Sequence, residues 1–132
     1  VLESIEFEPH VKNFDEHMRH YKKIDIALDT FPYNGVTTSF EAIWMGVPVL
    51  TMQGYNFNSR CGESINKNLN LNCLIAKDEQ DYILKAKEFS NYDKLSKIRK
   101  KIFDDAFLSP LFDEKNFSKD FFNLLKSVHS KN

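Results

Sequence analysis

An α/β fold built on a short parallel sheet is predicted by three observations. Short apolar runs alternate with longer stretches of helical periodicity. The run Val47-Pro48-Val49-Leu50-Thr51-Met52 is nearly all apolar, as a strand covered on both faces must be. The segments between runs are long enough to hold the crossover helices that parallel neighbours need.

Each element has its own signal. Ile5-Glu6-Phe7 predicts a first strand, ended by Pro9. Asp15 to Tyr21 predicts a short helix, with Asp15 and Glu16 suited to the positive end of its dipole. Ile24 to Leu28 predicts a second strand. Thr30-Phe31-Pro32-Tyr33-Asn34-Gly35 is turn chemistry, in which proline fixes φ and Asn34-Gly35 permits positive φ. A helix capped by Thr37 or Thr38 follows, with Phe40, Ile43, Trp44 and Val47 at helical spacing and Trp44 and Met45 expected in the core. Gly46 and Pro48 stop it, and 47–52 is the third strand.

A polar loop then leads to a helix around Ser59 to Leu69, and Cys73 to Ala76 predicts one more strand. Asp78 opens a helix with Tyr82, Ala86 and Phe89 on one face. Asn91-Tyr92-Asp93 interrupts it, and Leu95, Ile98, Ile102 and Ala106 restart the stripe. After the break at Ser109-Pro110, Phe117, Phe121, Leu124, Leu125 and Val128 make the apolar face of a last helix. So small a sheet reads as a piece of a larger domain.

Composition narrows the functional classes. The 132 residues are one domain's worth of chain. Lys and Arg number 18 against 19 Asp and Glu, which excludes a basic footprint for nucleic acid. Hydrophobic residues at 42% suffice for a core. No run reaches the ~18 apolar residues of a membrane span, and the first residues carry acids where a signal peptide has bases. Cys61 and Cys73 lack the spacing of a zinc site and suit a reducing, cytoplasmic setting. No partner among nucleic acids or membranes is expected.

The informative stretch is Asp25 to Gly54, where a strand ends in a glycine turn that runs into a helix bearing two threonines. Backbone N–H groups of Gly35, Val36, Thr37 and Thr38, the helix dipole and the threonine hydroxyls make such a turn an anion site. It matches neither the P-loop nor the dinucleotide fingerprint. The same residues fit a plain capping box, Thr38-Ser39-Phe40-Glu41, in which Glu41 reaches back to the cap. Alternatively Glu41, one turn into the helix, accepts hydrogen bonds from ribose hydroxyls.

His17 and His20 share a helix face, but no third ligand stands with them, and no metal is expected. Arg19, Lys22 and Arg60 are candidates for neutralising a diphosphate. Asp29, at a strand end, either faces a site or caps the turn. No Ser-His-Asp arrangement has meaningful spacing.

The stretch Asp25 to Gly54, with Asp29-Thr30-Phe31-Pro32-Tyr33-Asn34-Gly35-Val36-Thr37-Thr38-Ser39-Phe40-Glu41 inside it, resembles the protein O-GlcNAc transferase and SPINDLY family. Those enzymes place TPR repeats ahead of a two-lobed GT-B catalytic region. Glu16-His17-Met18, Ser59-Arg60 with Gly62 and Ser64, and Ser109-Pro110-Leu111-Phe112 extend the resemblance over most of residues 5–128. It implies that residues 1–132 are part of the Rossmann-like, C-terminal nucleotide-sugar-binding lobe, with 108–132 packing back on that lobe or on its absent partner lobe.

The resemblance also implies roles. The diphosphate falls to Gly35, Val36, Thr37 and Thr38, and the ribose to Glu41. His17 matches a histidine beside the base, and His20 and Asn34 take base-side or supporting places. The implied reaction moves a sugar, N-acetylglucosamine from UDP-GlcNAc, to Ser or Thr of proteins by an inverting, metal-independent route that needs no cofactor. The acceptor protein would be held by the other lobe and the TPR repeats, so no catalytic base is named. His20 stands where the O-GlcNAc transferases carry Arg, and Val36 where they carry His. Phe31-Pro32-Tyr33 is closer to the GDP-fucose-using SPINDLY members, so sugar and base stay open. A non-catalytic nucleotide- or protein-binding module is the alternative from another class. By itself the chain is expected to be inactive, and the exposed face of its last helix to favour self-association.

Overall fold

A computed structural model describes residues 4–129. Three short parallel strands lie in the order β1-β2-β3: β1 is Ala27–Leu28, β2 is Val49–Met52 and β3 is Ile75–Ala76. Ala27 pairs with Val49 and Leu28 with Leu50, while Thr51 pairs with Ile75 and Met52 with Ala76. The middle strand is buried along its whole length. This is the element the continuous apolar run predicted.

The helices are α1 (Phe14–His20), α2 (Val36–Trp44), α3 (Cys61–Asn68), α4 (Glu79–Phe89), α5 (Tyr92–Asp105) and α6 (Glu114–His129). Helices α2 and α3 are the two crossovers, and they pack on β2 and on each other. Thr51 lies against α3, so strand alternation turns Leu50 and Met52 to the other face. Helix α4 packs on β2 and β3. The core joins Ile43, Val47, Val49, Ile65, Leu69, Leu71, Leu74, Phe89 and Ile102. Each such side chain contributes about 1.5–3 kcal/mol by leaving water.

Local chemistry fixes the helix ends. Asn13 Oδ1 accepts from Glu16 N, Asp78 Oδ1 from Asp81 N and Asn91 Oδ1 from Lys94 N. The interruption expected at Asn91 is therefore a cap that separates α4 from α5. Gly46 adopts φ of +72° after α2, the left-handed stop that glycine supplies without strain. Arg99 donates to the carbonyls of Ile24 (2.9 Å) and Asp25 (3.0 Å), pinning α5 to the approach of β1.

Three expectations are corrected. Residues 5–7 form no strand: Ile5 is half exposed and Phe7 is 93% exposed, with no neighbouring strand to complete their hydrogen bonds. Trp44 is not a core residue. It is 54% exposed and packs edge-on against Phe107, with ring centres 4.8 Å apart, because α2 buries Ala42 and Ile43 instead. The turn before α2 needs no positive φ: Gly35 has φ −80°, and among the described residues only Gly46 and Asn70 lie in that region. Within 108–129, Leu111 and Phe112 pack on the core, whereas α6 buries none of its residues.

Asn66 braces the sheet from α3. It is fully buried, and its Nδ2 donates to Val49 O (2.8 Å) and Leu74 O (3.3 Å). Replacing Asn66 by Ala leaves the Val49 carbonyl without that donor, and the expected loss of stability is about 1–3 kcal/mol. Denaturant unfolding of the variant checks it, and an unchanged midpoint refutes the bracing role.

Candidate nucleotide-binding site

The carboxyl ends of β1 and β2 are where an open parallel sheet places its ligands. Asp29, just past β1, organises this edge. Its Oδ1 accepts from Gly35 N at 2.9 Å and its Oδ2 from Thr51 Oγ1 at 2.8 Å. Burial pushes the Asp29 carboxyl up, against the opposing pull of the Gly35 amide and the Thr51 hydroxyl. Of the two roles open to Asp29, it fills the turn-capping one.

That bond resets the start of α2. The N-cap is Gly35, not Thr37 or Thr38, and the first helical residue is Val36. Ser39 N closes the first helical bond on Gly35 O at 3.0 Å. The N–H groups of Val36, Thr37 and Thr38 thus belong to the open first turn, and Gly35, whose N–H is taken by Asp29, is no free donor. Thr37 and Thr38 are exposed. A cavity of about 140 Å³ beneath them is lined by Tyr21, Leu28, Asp29, Gly35 and Thr38.

Glu41 does not close a capping box. Its Oε2 lies 3.0 Å from His17 Nε2 and accepts from Tyr21 Oη, also at 3.0 Å. The Tyr21 hydroxyl is also 3.3 Å from Thr38 O. The His17 and Tyr21 rings meet edge to face, with centres 5.7 Å apart. Burial first, then the Glu41 carboxylate, pushes the Tyr21 phenol up to about 12. The structure thus brings His17 and Glu41 together, as the residues named for base and ribose require of neighbours. His20 lines, with His17 and Pro9, a groove of about 540 Å³ beside α1.

Asn34 lies inside the fold. It is 2% exposed, donates from Nδ2 to Thr30 O (2.8 Å) and accepts at Oδ1 from Gly62 N (3.1 Å), while its own N–H donates to Asn58 O. It joins the turn before α2 to the start of α3. Gly62 is needed there for space, since a Cβ would strike Asp29 Oδ2 and Thr51. Arg60 donates Nε to Glu63 Oε2 at 3.2 Å while its side chain stays 56% exposed, and Lys67 meets the other Glu63 oxygen at 2.5 Å. Arg19 and Lys22 stay on the exposed surface.

Sequence reading missed Tyr21, Thr51 and Tyr82. Tyr82 falls on an apolar helix face, yet its hydroxyl donates to Asp29 O at 3.0 Å and lies 3.3 Å from Leu50 O. Burial, then the Asp29 charge, pushes it up to about 12. A tyrosine within an apolar stripe was the available signal, because a buried phenol must find a partner.

The described residues hold no group of three or more His, Cys, Asp or Glu placed for a metal, and no helix among them is long and apolar enough to cross a membrane.

With that geometry in place, the sequence profile of glycosyl transferase family 41 matches residues 3–121. The chain belongs to this family. It is similar to the SPINDLY protein of Eustoma exaltatum subsp. russellianum, named as a probable UDP-N-acetylglucosamine–peptide N-acetylglucosaminyltransferase, with 40% identity over 106 residues. That match covers 80% of this chain and 12% of the relative. The UDP-N-acetylglucosamine–peptide N-acetylglucosaminyltransferase of Caenorhabditis elegans is 34% identical over 112 residues, covering 84% of this chain and 10% of the relative. A mutant O-GlcNAc transferase of Thermobaculum terrenum has a similar structure, with TM-score 0.79 and 30% identity over 85% of this chain and 22% of that one. The fold is thus the Rossmann-like, partial lobe of a GT-B catalytic region.

Glu63 gives this family 41 lobe an acid-sensitive joint. Its side chain is 3% exposed, and the hydrogen bond from Lys67, with Arg60, holds its carboxyl below the ordinary value of 4.5 against the cost of burial. The stabilisation is full above that value and is lost as pH falls through the lower folded one. Glu63→Gln is expected to flatten the loss of stability on that acid side, as read by urea unfolding at stepped pH. An acid limb as steep as that of the unsubstituted protein refutes the linkage.

Proposed function

We propose that this family 41 chain forms the donor-binding part of a protein O-glycosyltransferase. The observation that carries this reading is the edge built by Asp29. It leaves the Val36, Thr37 and Thr38 N–H groups and two exposed hydroxyls at one helix start, with Glu41 one turn behind. A nucleoside diphosphate fits that arrangement from end to end. The open N–H groups and the Thr37 and Thr38 hydroxyls hold the diphosphate. Glu41 takes ribose hydroxyls and His17 lies toward the base.

The donor we propose is UDP-GlcNAc, the nucleotide sugar in the names of the SPINDLY and worm relatives. In the transfer, a Ser or Thr hydroxyl of an acceptor protein attacks the anomeric carbon, with inversion, as the bond to the diphosphate breaks. Negative charge grows on the leaving diphosphate, and the first turn of α2 lies ready to stabilise it without rearrangement. The general base and the acceptor contacts are not assigned to this lobe.

Calorimetric titration of the full-length protein with UDP and with GDP tests the reading. UDP is expected to bind, and Thr37→Ala/Thr38→Ala to weaken it by about a hundredfold or more, the size of two lost hydrogen bonds to a charged group. Preference for GDP transfers the proposal to a GDP-sugar such as GDP-fucose. Binding of neither nucleotide leaves a non-catalytic module and overturns the proposal.

A further inference from the structure

Glu41 carries an unequal load on its two oxygens. His17 Nε2 and Tyr21 Oη both meet Oε2, each at 3.0 Å. Two contacts converging on one oxygen fix the plane of the carboxylate and leave Oε1 as the oxygen for a further donor. Glu41 remains 21% exposed in its side chain, so a ligand can reach it. Tyr21 is buried at 8% exposure, and its hydroxyl lies between Glu41 Oε2 and the Thr38 carbonyl of the helix that carries the anion site.

We infer that Tyr21 is a positioning residue for the donor's ribose: it clamps Glu41 through Oε2 so that Oε1 is presented to the ribose hydroxyls. The inference rests on the proposed function above and deepens it. Three features carry it. A carboxylate one turn into a helix is otherwise a free rotor, and holding it in one orientation removes an ordering cost from ligand binding. The Tyr21 ring is fixed by burial and by the His17 ring, so the clamp is rigid. The phenol is protonated and able to donate throughout the neutral range, as at its ordinary value of 10.0, and burial pushes it further up to about 12. His17, more exposed at 42% of its side chain, is the looser of the two holders.

The test uses the full-length protein, UDP and GDP, and their 2′,3′-dideoxy analogues. Tyr21→Phe keeps the ring and removes only the hydroxyl. It is expected to weaken the ribonucleoside diphosphate roughly five- to tenfold, about the worth of one hydrogen bond. The dideoxy analogue, which has no ribose hydroxyl for Glu41, should lose less than twofold. In a Glu41→Gln background, Tyr21→Phe should add little to either. An equal loss for both nucleotides means a merely structural tyrosine and overturns the inference, as does no loss for either.

A second measurement needs no substitution at Tyr21. With carbon-13 at the tyrosine ζ position, the Tyr21 resonance should move when the ribonucleotide binds and hold still for the dideoxy analogue. Equal movement for both refutes the clamp. Failure of the underlying reading looks different, since then neither ribonucleotide nor dideoxynucleotide binds the unsubstituted protein.

Discussion

The carboxylate of Asp29 is the contact on which the rest of this edge depends. It stands where β1 ends and accepts from two elements at once, the first amide before α2 and the Thr51 hydroxyl on β2. Burial raises its affinity for a proton, so the position is costly for a charge. The two hydrogen bonds, and the tight seat of Gly62 against Oδ2, are what hold it there. Because the Gly35 N–H is consumed, α2 must present its open first turn from Val36 onward. The place of the candidate diphosphate site is therefore decided one residue outside the helix.

Two buried asparagines extend that constraint. Asn34 ties the turn before α2 to the start of α3, and Asn66 ties the end of α3 back to β2. Each uses an amide where a carboxylate could not serve, since each donates to a carbonyl from Nδ2. The chain thereby runs from site to sheet to α3 and back with buried polar bonds at each joint. A site so braced is ordered before any ligand arrives, as electrostatic stabilisation of a developing charge requires.

Local patterns carried most of the architecture. The apolar run around Val49 and Leu50 announced the central strand, and the turn-then-threonine pattern announced α2. What failed did so for non-local reasons. Ile5-Glu6-Phe7 has strand composition, but a strand needs a neighbour, and β1 has β2 alone as its partner among the described residues. The capping box at Thr38 and Glu41 has the right spacing, yet Asp29 and Tyr21, distant in sequence, compete for the cap and for the carboxylate. Trp44 lies on the helical stripe but at its margin, where neighbouring aromatics take it up at the surface. In the candidate site, Thr37, Thr38, Glu41 and His17 were legible as a set. Their supports Tyr21, Thr51 and Tyr82 were not, because their role lies in one hydroxyl each, and periodicity registers only the apolar body.

A carboxylate behind an anion site looks self-defeating, and magnitudes decide whether it is. Glu41 is five residues past Val36, or ~7.5 Å along the helix axis at the α-helical rise. At that distance the repulsion per unit charge is about 0.6 kcal/mol at the dielectric of water and about 2 kcal/mol at an effective dielectric near 20. A hydrogen bond to a charged group contributes about 1.5–3 kcal/mol, so two ribose hydroxyls on Oε1 outweigh the repulsion from the two charges of a diphosphate at the dielectric of water and about match it, roughly 4 kcal/mol, at the lower dielectric. The balance is tightest in the drier setting, and there the donors on Oε2 matter most. Tyr21 and His17 draw charge toward the far oxygen and spare the ligand part of the cost of ordering the side chain. In the proposed site, an acid at this position favours a nucleoside diphosphate more strongly when something holds it, and two aromatic residues, from α1 and its end, meet Glu41 Oε2.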